Sequence, residues 1–299
     1  MSAFLTIPQF RNVTKSHLAG PQDLLKGCST LLEEQGTIEK VVNDRFSGIY
    51  AAKFPRSTHI IMYVHGGGFV SGSPEGVVGW LLQLAVELQA RGILADVFCV
   101  RYDLAPEHPF PDGLRQIVAA YEELVSREGK PIILAGESAG GNLCLDLLRH
   151  LVDPHPEIPP VKGGDGGGKV VAACLTCPWV DLRNESESFQ RNAKYDCLEK
   201  KVLNKWREAY LGGLRPNDNW TSPVDFPGDW RDMLPPHGGH KGLDLHVVPL
   251  KGHAWHLVDF GGIVPGKEAA KADTGNADSY MGVTLHADWI AEKLRPASA

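Results

Sequence analysis

The sequence predicts an α/β fold: a mostly parallel sheet flanked by helices, in a single domain over residues 1–299. Three observations lead there. Short β-rich runs alternate with longer helical patterns along most of the chain, the order that builds parallel strands joined by crossover helices. Runs such as THIIMYVH (58–65), ILADVFCV (93–100) and KVVAACLTC (169–177) are apolar almost throughout, as strands covered on both faces are. Neither an internal repeat nor a heptad pattern points to another architecture.

In chain order, a polar N-terminal arm precedes two short strands, TIEKVV and FSGIYAAKF. The strand 58–65 ends at HGGG. From Pro74 to Arg91 apolar residues recur at helical spacing (Val77, Val78, Leu81, Leu82, Leu84, Ala85, Leu88), and Gly92 closes that helix. Strand 93–100 follows, then an amphipathic helix over 112–129, then strand PIILAG (131–136). The helix SAGGNLCLDLLRHL (138–151) begins at once. Strand 169–177, a helix over 198–212, the strand LDLHVVPL (243–250) and a closing helix over 279–294 complete the pattern.

Composition narrows the function. With 43% hydrophobic and 22% charged residues and a net charge of -6, the chain has no electrostatic footprint for nucleic acid or an anionic membrane. Its longest apolar run, Val170 to Val180, is about half of what a membrane span needs. The N-terminus lacks the pattern of a secretory leader, so a soluble, cytoplasmic protein is expected. The six cysteines are expected to be reduced, and Cys99, Cys144 and Cys174 to be buried. Cys174 and Cys177 form C-x-x-C, but no second pair or histidine couple stands at zinc spacing, so no metal is expected. Gly163 to Lys169 fits G-x-x-x-x-G-K. A phosphate-binding loop must follow a strand, open a helix and end in Ser or Thr, and here a strand follows Lys169. A surface loop is the better reading.

Two motifs carry chemistry. GESAG (136–140) fits G-x-S-x-G between a strand and a helix, the context that thrusts a serine out at the C-terminal edge of a sheet. HGGGF (65–69) also ends a strand. Its glycines can present backbone N–H groups to a developing negative charge, with Ala139 N–H as a further donor; one such donor is typically worth about 3–4 kcal/mol of barrier. Ser138 is therefore the candidate nucleophile, and Gly67, Gly68 and Ala139 are the candidate oxyanion donors. His253 follows the strand 243–250, at the edge where ligands bind in such sheets, and is the candidate base. Glu137 is read as packing or hydrogen bonding near the turn.

HGGGF, RYDLAPEHPFP (101–111), GESAGGNL (136–143), CPWVDL (177–182) and GHAWH (252–256) stand in this order. Together the five motifs resemble the hormone-sensitive-lipase-like branch of the α/β-hydrolase fold. The resemblance implies a serine carboxylesterase that needs no cofactor and acts on a small-molecule ester. It implies Ser138 as nucleophile, Gly67, Gly68 and Ala139 as the oxyanion hole, and the first histidine of GHAWH, His253, as base. His65 would shape its loop rather than transfer protons. Residues 1–36 and 185–235, the latter holding Trp206 and Tyr210, are expected to form a small helical cap.

One feature departs from the family. There, a Leu-Pro-Pro turn is followed by a strand, a turn carrying the catalytic Asp, and a helix. Here MLPP runs through HGGHK almost directly into LDLHVVPL, roughly 20–30 residues short by ordinary element lengths. Asp244 lies too early in its strand, and Asp229 and Asp232 have no predicted direction. Asp181, just past the strand 169–177, is the candidate substitute acid; a plain role in ordering its loop is the competing reading. If the strand 243–250 pairs one place inward, His253 shifts by about 4.8 Å. The expectation is serine-dependent hydrolysis of short to medium acyl esters, weakened by the absent acid. The alternative is a catalytically impaired small-molecule-binding protein on the same scaffold.

Overall fold

The computed structural model describes residues 6–13, 34–162, 170–192, 198–230 and 281–294. Within them, six strands form one sheet: β1 (Thr37–Val42), β2 (Ser47–Lys53), β3 (His59–Val64), β4 (Ala95–Arg101), β5 (Ile132–Glu137) and β6 (Val170–Thr176). Their order is β1-β2-β4-β3-β5-β6. β3 pairs parallel with β4 and β5, and β5 pairs parallel with β6; β2 runs antiparallel to both β1 and β4. The sheet is thus mostly parallel, with an antiparallel hairpin at one edge.

Side chains alternate along the central strands, and each face buries its own set. Ile60, Met62 and Val64 of β3 join one core with Ile132 and Leu134 of β5. Against them pack Leu114 and Ile117 of α3 (Asp112–Glu128) and Leu143 and Leu147 of α4 (Ala139–Val152). Ile61 and Tyr63 join the other core with Trp80, Leu81, Leu84 and Leu88 of α2 (Pro74–Ala90) and Ala287 and Ile290 of α7 (Met281–Lys293). These side chains are almost wholly shielded, and each Val, Leu, Ile or Met among them contributes about 1.5–3 kcal/mol by leaving water. Double coverage explains why β3, β4 and β5 read as unbroken apolar runs.

In chain order, α5 (Glu187–Asn192) and α6 (Lys200–Leu211) follow β6 among the described residues. The polar N-terminal arm, expected as part of the helical cap but with no helix placed in it, contains α1 (Ile7–Val13). Its seven residues are too short for periodicity to reveal. The helix is tied down by Arg11, whose guanidinium donates to the carbonyls of Val70 and Ala105, each at 2.6 Å, and pairs with Glu107 at 2.9 Å.

Register brings the functional loops together. Val64 of β3 stands opposite Gly136 of β5, which stands opposite Leu175 of β6. The three parallel strands therefore end level, and HGGGF, the Ser138 turn and CPWVDL leave from one edge. Elsewhere the elements begin and end within two residues of expectation. β4 starts at Ala95 rather than at residue 93 because Ile93 N–H still bonds back to Leu88 O, at 2.9 Å, closing α2. The strand expected over 243–250 and the glycine-rich loop 163–169 lie outside the described residues.

Candidate active site

The turn between β5 and α4 is as tight as its glycines suggest. Ser138 has φ 54° and ψ −120°, a conformation that costs a non-glycine residue on the order of 1–3 kcal/mol. Its surroundings fix it there. Ser138 N–H donates to Thr176 O at 3.0 Å, and Ser138 O accepts Asn142 N–H at 3.1 Å and Trp179 N–H at 3.0 Å. α4 then starts at Ala139, one residue later than the periodicity indicates, because Ser138 itself is not helical. Gly140 must lack a side chain for a different reason: a Cβ there would lie 2.0 Å from Val64 O and 2.6 Å from His65 O. The start of α4 thus presses directly on the end of β3.

The loop after β3 is built for the same approach. Gly67 and Gly68 take φ of +113° and +62°, and Phe69 takes 64°. A Cβ at Gly67 would fall 2.1 Å from Ser71 O. Gly67 O accepts Val70 N–H, Ser71 N–H and the Ser71 hydroxyl, at 3.2, 3.0 and 2.9 Å. Among the described residues, no group accepts the N–H of Gly67 or Gly68. The loop abuts the nucleophile: a Cβ at Gly66 would sit 3.1 Å from Ser138 Cβ.

Two buried ionisable groups lie beneath. His65 is fully shielded, stacks on Tyr102 with ring centroids 4.4 Å apart, and has Nδ1 2.8 Å from Gly66 O. Burial pulls its imidazole down to about 4, so it is neutral and holds the loop, as the resemblance implied. Glu137 is 4% exposed and takes two donors, Gly66 N–H and the Tyr63 hydroxyl, each at 2.5 Å. Burial pushes its carboxyl up from 4.5 to about 7, against the opposing pull of those two donors. The expected hydrogen bonding of Glu137 is thus present, but its bond to the glycine loop was not legible, since nothing local in a sequence aims residue 137 at residue 66.

Aromatic side chains close the site from above. Phe69 stacks on Tyr210 with centroids 3.6 Å apart and lies 5.6 Å from Trp179. Trp206 covers Gly68, where a Cβ would stand 2.3 Å from its ring. Both Tyr210 and Trp206 come from α6, so this helix rests on the glycine loop itself. Asn142 ties the neighbouring loops, its amide donating to Trp179 O at 2.8 Å and Thr221 O at 3.0 Å. Ser138 is left 8% exposed.

The remaining site expectations fare differently. His253 lies outside the described residues, as do Asp232 and Asp244. Asp181 is half-buried, and its Oδ1 accepts Arg183 N–H at 3.0 Å and Arg183 Nε at 2.7 Å; Arg183 also reaches Asp225 at 3.3 Å. Its carboxylate thus orders a turn and an ion pair. Cys99 and Cys144 are buried free thiols as expected, whereas Cys174 is only half-buried; its strand, β6, is half-covered along most of its length. No helix among the described residues is long and apolar enough to cross a membrane.

Comparison with known proteins follows the same lines. The family described as "alpha/beta hydrolase fold" matches residues 61–237. An esterase of Acinetobacter venetianus is 34% identical over 184 residues, which are 60% of this chain and 54% of that protein. An acetyl-hydrolase of Streptomyces hygroscopicus is 32% identical over 178 residues, 58% of this chain and 54% of the relative. Hormone-sensitive lipase of Mus musculus shares 40% identity over 99 residues, 31% of this chain and 12% of the lipase. The chain spans about half the length of the first two relatives. Among solved structures, a hormone-sensitive lipase from a metagenome library superposes with a TM-score of 0.64 at 23% identity, covering 97% of this chain and 99% of that one. An esterase of the bacterial hormone-sensitive lipase family gives 0.62 at 24%, covering 97% of each chain. Likeness at this identity shows a shared fold.

Proposed function

The chain belongs to the alpha/beta hydrolase fold family, and from that premise we propose that it hydrolyses carboxylic esters of short to medium acyl length through Ser138. The observation that carries this reading is the strained serine turn lying against a glycine loop whose Gly67 and Gly68 N–H groups are unused among the described residues.

Ser138 Oγ attacks the ester carbonyl and passes its proton to the imidazole of His253. Charge builds on the carbonyl oxygen, and Gly67, Gly68 and Ala139 N–H groups receive it. Collapse of the tetrahedral intermediate expels the alcohol, which takes the proton from His253, and leaves an acyl-serine. Water, deprotonated by the same imidazole, attacks the acyl-serine; as the second tetrahedral intermediate collapses, the imidazolium returns its proton to Ser138 Oγ and the acid is released. Asp181 is the proposed partner of His253. Its engagement with Arg183 favours slow turnover, because a carboxylate already bound to a guanidinium orients a histidine poorly. The same observation favours the second reading, a binding protein on a hydrolase scaffold. Residues 1–36 and 185–235 act as cap elements of one domain; Arg11 on the loop after HGGGF and the seating of Trp206 and Tyr210 on the glycine loop support this.

The test is hydrolysis of p-nitrophenyl butyrate by the purified chain beside Ser138→Ala. Turnover that disappears in the variant is the expected result. Equal background rates from both proteins overturn the enzyme reading, and saturable ester binding without turnover would then favour the second.

A further inference from the structure

Acyl transfer by Ser138 needs no carboxyl group directly beneath the serine, yet Glu137 puts one there. The side chain is almost wholly shielded. Its Oε1 accepts Gly66 N–H at 2.5 Å, and its Oε2 accepts the Tyr63 hydroxyl at 2.5 Å. Gly66 immediately precedes the two proposed oxyanion donors, and Glu137 immediately precedes the proposed nucleophile. One carboxylate therefore spans the gap between β5 and the loop after β3. We infer that Glu137 is a positioning residue, a clamp that holds the glycine loop in register with Ser138.

The chemistry of the clamp favours the ionised form. Both partners are donors, and a carboxylate can accept from both, in charge-assisted bonds roughly twice as strong as neutral ones. A protonated carboxyl turns one of its oxygens into a donor. One of the two bonds must then be lost, or the Tyr63 hydroxyl must turn round. The titratable groups that feel the charge of Glu137 are Tyr63 on β3, Cys99 on β4, Tyr102 just beyond β4 and Cys144 on α4; Cys177, after β6, lies near Tyr63. Burial pushes Tyr63, Cys99, Tyr102 and Cys144 above their ordinary values. These four stay neutral and leave Glu137 to change charge across the neutral range, so the clamp tightens as pH rises through about 7.

The inference rests on the serine-hydrolase reading, and the experiment separates the two. Steady-state hydrolysis of p-nitrophenyl butyrate is followed between about pH 5.5 and 8.5 for the full chain, Glu137→Gln and Tyr63→Phe, with Ser138→Ala as background. Glu137→Gln is expected to lower kcat at least about tenfold with KM within about twofold, the pattern of an interaction made in the transition state. It should also reduce the slope of the acid limb from near two protons to one, the remaining proton belonging to the base. Tyr63→Phe keeps the carboxylate but removes one donor, and the limb should move to higher pH. Wild-type kcat and an unchanged pH profile in a folded Glu137→Gln or Tyr63→Phe protein overturn the clamp. Absence of Ser138-dependent turnover in the parent chain overturns the enzyme reading instead. In that case hydrogen exchange over residues 65–69 decides the clamp. Protection at pH 8 that drops in Glu137→Gln supports it, and equal exchange overturns it.

Discussion

Replacing Glu137 with Gln should stabilise the fold at pH 8 more than at pH 5. The carboxyl is buried, and its proton is held to about pH 7 rather than the ordinary 4.5. Ionising it in the folded chain therefore costs about 3 kcal/mol more than in the unfolded chain. Because the folded-state value is the higher one, the stability linked to this proton is complete below about pH 4.5. It is lost progressively as pH rises through about 7. At pH 5 the loss is under about 1 kcal/mol, and at pH 8 it is nearly complete. Gln is uncharged at both values, so it removes the loss without altering side-chain size. Other titrating groups are common to both proteins and cancel in the comparison. The expected result is a gain of about 2–3 kcal/mol for the variant at pH 8 relative to its own difference from wild type at pH 5. Urea unfolding followed by tryptophan fluorescence at the two pH values measures it. A stability difference that is the same at pH 5 and pH 8 would refute the reasoning. The same substitution is expected to slow turnover, so the relative gain in stability between pH 5 and pH 8 should come without a gain in activity.

Gly140→Ala drives a Cβ to 2.0 Å from Val64 O and 2.6 Å from His65 O. Both atoms are backbone, which cannot swing aside as a flexible side chain can, so the loss should exceed about 3 kcal/mol, beyond ordinary overpacking; a stability within about 1 kcal/mol of wild type by urea unfolding would count against the close approach. Trp206→Ala clears the ring from above Gly68, and the ratio of kcat/KM for p-nitrophenyl octanoate to that for butyrate should rise about tenfold or more. An unchanged ratio would place the acyl chain elsewhere. Asp181→Asn removes one side of a partly exposed ion pair and should shift stability by no more than about 1 kcal/mol. As the triad acid its loss should lower turnover by about 10³ to 10⁴, and near-normal turnover in the variant would exclude it from that role.

Much of this architecture was readable because parallel strands buried on both faces announce themselves. The six strands β1 to β6 and the four long helices α2, α3, α4 and α6 all fall within two residues of the apolar runs and periodic segments that predicted them. The motif glycines were readable too, since each shortage of space implies a missing side chain. Three things were not. The antiparallel placement of β2 between β1 and β4 depends on which strands meet, and alternation within a strand carries no such information. α1 is a single short helix whose docking rests on the distant carbonyls of Val70 and Ala105. The bonds from Gly66 and Tyr63 to Glu137 cross from β3 and its loop to β5, and the elbow motif marks Ser138 without marking what its neighbour holds. Asp181 shows the converse case: its position after β6 suggested chemistry, and its carboxylate instead closes on Arg183, two residues along the chain.

The clamp from Glu137 to Gly66 joins positions 71 residues apart, and the parallel strands that carry them meet only after a crossover has closed. Contacts of that span form late, because the entropy of closing the loop is lost before any contact repays it. The nucleophile and its proposed oxyanion donors therefore cannot be in place in any early, locally ordered form of the chain. In refolding, helix content and collapse should appear well before the first turnover. The recovery of hydrolysis would act as a clock for the pairing of β3 with β5, timing the least local pairing among the described strands.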